Sequence, residues 1–187
     1  MIFWTLVYTL AICSVCVFFV RFLSLQVKTF AFVLCAVFAN LPFILGLSVV
    51  EWLDSVLGRP SLFLFFLSLS ACFVVFFAPK EEILPLRSKA FIIIFGFVLF
   101  LGNLNLLWGF DLFSLGFEAR LIIAFGILLF AISLDLFLGI LYLLCLLVFA
   151  FGLQGNLFTY LIDVCVWLYA IFGLVISLMD LRRKARH

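Results

Sequence analysis

Apolar residues run along this chain in blocks, and the charged and turn-forming residues gather between them. The blocks hold roughly 18–20 residues, enough for a helix rising about 1.5 Å per residue to cross a bilayer. The pattern lacks the alternation of half-buried strands and the weak, polar-interrupted segments of a membrane barrel. It predicts an all-α fold, a polytopic transmembrane helix bundle. The spans fall at about 2–20, 29–50, 61–78, 90–108, 118–134, 136–153 and 157–179. Residues 1–187 are expected to form one transmembrane domain.

The connections carry most of the polar chemistry. Arg21 and Lys28 bound a short basic loop, and 51–60 holds Glu51, Trp52, Asp54 and Arg59. Residues 79–89 form the most polar internal loop, closed at its ends by Pro79 and Pro85. Residues 109–120 set Asp111, Glu118 and Arg120 among phenylalanines. Asn40-Leu41-Pro42 lies inside the second span. Proline has no N–H, so a kink is expected there, with Asn40 placed to bond the released carbonyls or a neighbouring helix.

One stretch is too long for a single crossing. Residues 121–153 carry Asp135 as their only charge. As one straight helix they would be about 50 Å long, against a hydrocarbon core about 30 Å thick. The chain either turns at Asp135 or holds a carboxyl inside the membrane. Lysine and arginine decide between these. With the N-terminus outside and a hairpin at Asp135 there are seven spans, and nine basic residues face the cytoplasm: Arg21, Lys28, Lys80, Arg87, Lys89, Arg182, Arg183, Lys184 and Arg186. Only Arg59 and Arg120 then lie outside. A single crossing gives six spans and a split of 5 against 6 or 6 against 5. The positive-inside rule selects seven spans with a cytoplasmic C-terminus. Each hairpin arm has about 16 residues, or roughly 24 Å, which is short for a span.

Composition narrows the class further. The chain is 70% hydrophobic and 11% charged, where soluble domains run nearer 45–50% and about 25%. A disordered chain would be poor in aromatics, and this one has 28 phenylalanines. The six cysteines all fall in apolar runs, so no disulfide framework is expected. Cys13-Ser-Val-Cys16 has the C-x-x-C form, but no outer loop supplies a second pair for exchange, and buried apolar thiols are expected instead. The N-terminal run has neither a basic leader nor a cleavage site and is expected to remain as a span. The single histidine is His187, which removes the H-E-x-x-H zinc site and haem ligation by a bundle. There is no phosphate-binding glycine loop and no G-x-S-x-G elbow. No catalytic residue, cofactor or metal is expected.

Polar groups in or near the spans are the candidate functional residues, because they are costly in hydrocarbon and often mark ion paths. They are Asp163, Asp135, Asn40, Asn103 and Asn105. Each aspartate also has an ordinary role open to it: a wet turn for Asp135, and for Asp163 a helix N-terminus, whose dipole favours a carboxylate. The two outer loops resemble each other, Trp52, Asp54 and Arg59 against Trp108, Asp111, Glu118 and Arg120. Together they suggest an acidic, aromatic pocket on the outer face, although tryptophan is also a usual interfacial anchor. Ala170, Gly173 and Ser177 put small residues on one face of the last span, which suits close packing within the bundle, with another membrane protein or with a second copy. The basic tail suits anionic lipid headgroups, not nucleic acid. The expected function is a non-catalytic accessory or assembly subunit packing against a membrane partner. A small oligomeric transporter or channel is the alternative, and an interfacial enzyme using Asp54, Asp111, Glu118 and Arg120 stands third. Short loops suit a bacterial inner membrane.

Overall fold

The computed structural model describes residues 2–44, 46–103, 115–151 and 157–184. They are 82% helical, with nine helices and one two-stranded hairpin, so the class is all-α. The chain forms two compact units, Met1–Ile83 and Leu84–His187.

In the first unit α1 (Ile2–Phe19) is the centre. It packs against α2 (Leu25–Asn40), α3 (Val49–Leu57) and α4 (Leu62–Phe77). Val7, Cys13 and Val17 of α1 are fully enclosed, as is Phe63 of α4. Ser61 starts α4 by accepting from the Leu64 N–H at 3.0 Å, which satisfies one of the donors a helix start leaves open.

The second apolar run departs from expectation. Instead of kinking at Pro42 and continuing to Val50, the helix ends at Asn40. Leu41 is extended, at φ −77° and ψ 136°, the conformation that a following proline favours. Pro42–Ile44 (β1) then pairs antiparallel with Leu47–Ser48 (β2). Gly46 takes φ +78° in the turn, where a side chain would be strained. A new helix, α3, starts on a capping box. The Glu51 N–H donates to Ser48 Oγ at 3.3 Å, and the Ser48 N–H donates to Glu51 Oε2 at 2.7 Å. Proline removes the bond that would carry α2 onward, and the box satisfies the open donors of the next helix.

The basic loop at 21–28 is also shorter than expected, because α2 begins at Leu25. Lys28 sits in its first turns and is only 5% exposed. Its Nζ donates to the Val75 carbonyl at 2.8 Å. That carbonyl belongs to the last turn of α4, where the acceptors lack helical partners and the dipole favours a cation.

The second unit pairs α5 (Leu86–Asn103) with α9 (Val164–Lys184), and α6 (Phe117–Leu134) with α7 (Leu136–Ala150). The short α8 (Leu157–Leu161) rests on α6 and α7. Helix α5 starts directly after Pro85, whose fixed φ suits a helix start. Ser88 and Lys89, expected in a polar loop, are therefore helical and buried. Lys89 Nζ donates to Ser177 Oγ at 2.9 Å. Trp167 Nε1 donates to the Ile93 carbonyl at 3.1 Å, and a Cβ at Gly96 would come within 2.6 Å of the Trp167 ring. The small face of α9 is thus turned to α5: Gly173 lies against the Lys89 stem, and Ala170 is fully buried.

The stretch 121–153 is not one helix. α6 ends at Leu134, α7 begins at Leu136, and the two pack on each other through the single link of Asp135. The last apolar run also divides, between α8 and α9. Among the described residues, Phe117–Leu134 is the one helix that is long and apolar enough to cross a membrane. Phe3–Phe19, Leu25–Asn40, Leu62–Phe77, Leu136–Ala150 and Val164–Met179 are shorter apolar helical segments. Large apolar side chains also point outward, among them Ile122 (73% exposed), Phe125 and Leu129 on α6.

Candidate functional site

The first unit contains a cleft of ≈ 490 Å³. Its walls come from the start of α1 (Trp4), the end of α2 (Asn40), α3 (Glu51 in its first turn and Asp54 further along) and the following loop (Arg59). The structure thereby brings together three residues that the sequence had assigned to two different sites: Asn40, Asp54 and Arg59.

Local chemistry builds each wall. Asn40 Nδ2 donates to the Ala36 carbonyl at 2.8 Å and to Thr9 Oγ1 at 2.9 Å. Thr9 Oγ1 in turn donates to the Thr5 carbonyl at 2.8 Å. The end of α2 is thus tied to α1 beside the cleft. The buried Tyr8 hydroxyl donates to the Gly58 carbonyl at 2.6 Å. Gly58 turns the chain at φ +75°, and Arg59 follows it directly. Glu51 Oε2 accepts from both the N–H and the hydroxyl of Ser48. Those bonds, the backbone one first, hold its carboxyl below the ordinary carboxylate range, because they stabilise the charged form. Asp54 and Arg59 have no side-chain partner among the described residues. The cleft therefore carries charge of both signs that the fold leaves open to solvent.

Trp52 does not line this cleft. With Val49 and Val56 it forms an exposed apolar stripe on the other flank of α3, at the i, i+3, i+7 spacing of one helix face. Glu118 is exposed in the first turn of α6. Arg120 is half-buried, and its Nε meets no acceptor among the described residues. The side chain of Asn103, and all of Asn105, Trp108 and Asp111, lie outside the described residues.

Both aspartates cap helices. Asp135, extended at φ −162° and ψ 123°, accepts from the N–H groups of Phe137 and Leu138, each at 3.3 Å. Its own N–H closes α6 on the Ala131 carbonyl at 2.9 Å, and Ser88 Oγ donates to its Oδ2 at 3.3 Å. Asp163 Oδ1 accepts from the Val166 N–H at 2.7 Å at the start of α9. Replacing Asp135 by alanine is expected to lower stability by about 1 kcal/mol, whereas asparagine, an equally good cap, changes it little. Unfolding curves of the two variants check this. Equal losses would mean that the charge, not the cap, matters.

Sequence reasoning missed Trp4, Glu51 and Ser48 as cleft residues. The last two were signalled by the Ser-x-x-Glu capping pattern; nothing local signalled Trp4. Six free thiols are distributed over the two units, and Cys13 Sγ donates to the Phe32 carbonyl at 3.6 Å. Among the described residues no group of three or more His, Cys, Asp or Glu side chains is arranged to hold a metal ion. No protein-family model, curated protein or solved structure matches the chain.

Proposed function

We propose that the chain is a multi-pass integral membrane protein with seven spans, its N-terminus outside and its C-terminus cytoplasmic, serving as a non-catalytic accessory or assembly subunit. One observation carries this reading. The helices present apolar side chains outward, while four of the charged groups along them or at their ends are spent on helix ends and helix–helix bonds. Lys28 meets a carbonyl at the end of α4, Asp135 and Asp163 cap α7 and α9, and Lys89 bonds Ser177. Such an arrangement suits hydrocarbon, which supplies no partner for a polar group. Groups held in this way are poorly disposed to pass an ion along.

In this reading α2 replaces the longer second span, and the hairpin with α3 lies along the outer interface, anchored by Trp52. Helices of 15–16 residues, such as α7, α2 and α4, reach about 24 Å at most, so a thin or locally thinned bilayer is required. A bacterial inner membrane is the proposed location. Since α5 already covers the small face of α9, a membrane partner would dock on the outward apolar faces instead.

Two measurements test the proposal. Tags placed beside residue 135 should be modified from the cytoplasm only; modification from outside would overturn the topology. Purification in mild detergent should recover a second membrane protein in fixed stoichiometry, and repeated recovery of the chain alone would overturn the subunit role. If the chain were instead a small oligomeric transporter, Asp135→Asn or Asp163→Asn would abolish flux in reconstituted vesicles.

A further inference from the structure

The cleft in the first unit sets Trp4, Asp54 and Arg59 around ≈ 490 Å³ of open volume, within the usual range for sites that hold small molecules. Its charges are not paired with one another. Asp54 lies on α3 and Arg59 beyond its end, separated by the turn at Gly58 that Tyr8 holds. A guanidinium is suited to phosphate oxygens, which it can meet with two parallel N–H bonds. An indole and carboxylates lining one cleft are suited to an ammonium group, which the ring face and the negative charge both attract. A ligand matching both ends carries a cation and a phosphate on one short linker.

We propose that this cleft binds a phosphoethanolamine- or phosphocholine-type zwitterion, with phosphate on Arg59 and the ammonium between Trp4 and Asp54. Two sources share that chemistry, a membrane lipid headgroup and a soluble phosphoester. The lipid source rests on the membrane placement proposed above. Glu51 adds negative charge at the amine end while keeping its bonds to Ser48.

The test uses the full-length chain in nanodiscs of phosphatidylethanolamine or of phosphatidylglycerol, with retained lipid read by native mass spectrometry. Soluble phosphoethanolamine is titrated separately by calorimetry. The wild type should retain phosphatidylethanolamine about tenfold better than phosphatidylglycerol, which has the phosphate without the amine. Arg59→Gln should lower phosphatidylethanolamine retention by about tenfold. Asp54→Asn should erase the preference between the two lipids. Both positions are exposed, so unchanged unfolding curves are expected for both variants. Equal retention of the two lipids by the wild type, or wild-type behaviour in both variants, overturns the proposal. Binding of soluble phosphoethanolamine with no retention of its lipid would uphold the headgroup chemistry and overturn the membrane placement.

Discussion

Gly139→Val is expected to destabilise the α6–α7 pair more than any other single substitution considered for the second unit. A Cβ at this position would collide with Ile132 Cγ1 and come within 2.9 Å of the Ile132 Cα. The first of these is a side chain that can rotate, but the second is backbone. Relief by separating the helices is blocked, because one residue, Asp135, joins them. Leu138, Leu141 and Cys145 along α7 are buried and would be shifted with it. Overpacking commonly costs about 1–3 kcal/mol and sometimes more, and a backbone clash belongs at the upper end, about 3 kcal/mol. For a chain of this size that is a fall in Tm of about 6–12 °C. Thermal unfolding in detergent reads it directly. Gly139→Ala should act in the same direction and less strongly, and Ile132→Ala in the Gly139→Val background should recover part of the loss. A valine variant as stable as the wild type would mean that the two helices do not meet this closely.

Lys28→Ala is the second large effect. The buried ammonium is held against the Val75 carbonyl, and its stem fills space between α2 and the end of α4. Alanine removes the donor from a buried acceptor, a loss of about 1–3 kcal/mol, and leaves the volume of the stem empty. A total near 3 kcal/mol is expected. Lys28→Met separates the two contributions: it keeps the stem volume, loses the hydrogen bond and also removes the cost of burying a charge. It should therefore lie closer to the wild type than alanine does. Stability in a denaturing-detergent titration checks the order. If alanine and methionine lose equally, the hydrogen bond carries the whole effect; if neither loses, Lys28 is not buried on α4.

Helix ends proved more legible than helix contacts. The capping pattern at Ser48 and Glu51, the lone Asp135 in a long apolar run and a carboxylate near the start of the last apolar run, Asp163, are all visible in one dimension, although that run was read as one span and divides at Asp163. Each acts on N–H groups two or three residues away. Pro42 was legible as a disturbance but misjudged in strength: a kink was expected, whereas the chain leaves the helix and turns back through Gly46 as a hairpin. At that helix end Asn40 also bonds Thr9 on another helix, a partner the sequence does not reveal. The candidate site shows the same division. Asp54 and Arg59 were visible as charges beside a tryptophan, but that tryptophan is on the other flank, and the indole that lines the cleft is Trp4, almost fifty residues earlier.

The sequence by itself determined the apolar helices, the disturbance at Pro42 and the break at Asp135, because hydropathy and capping act within a few residues of the chain. Only the tertiary structure decided that Lys28 and Lys89 are buried helix partners, that α5 covers the small face of α9, and that Asn40, Asp54 and Arg59 share one cleft with Trp4. Those depend on which helix meets which, and among helices so uniformly apolar the pattern of hydrophobicity does not encode the choice. Close approach at glycine and single polar bonds across the packed surfaces make it.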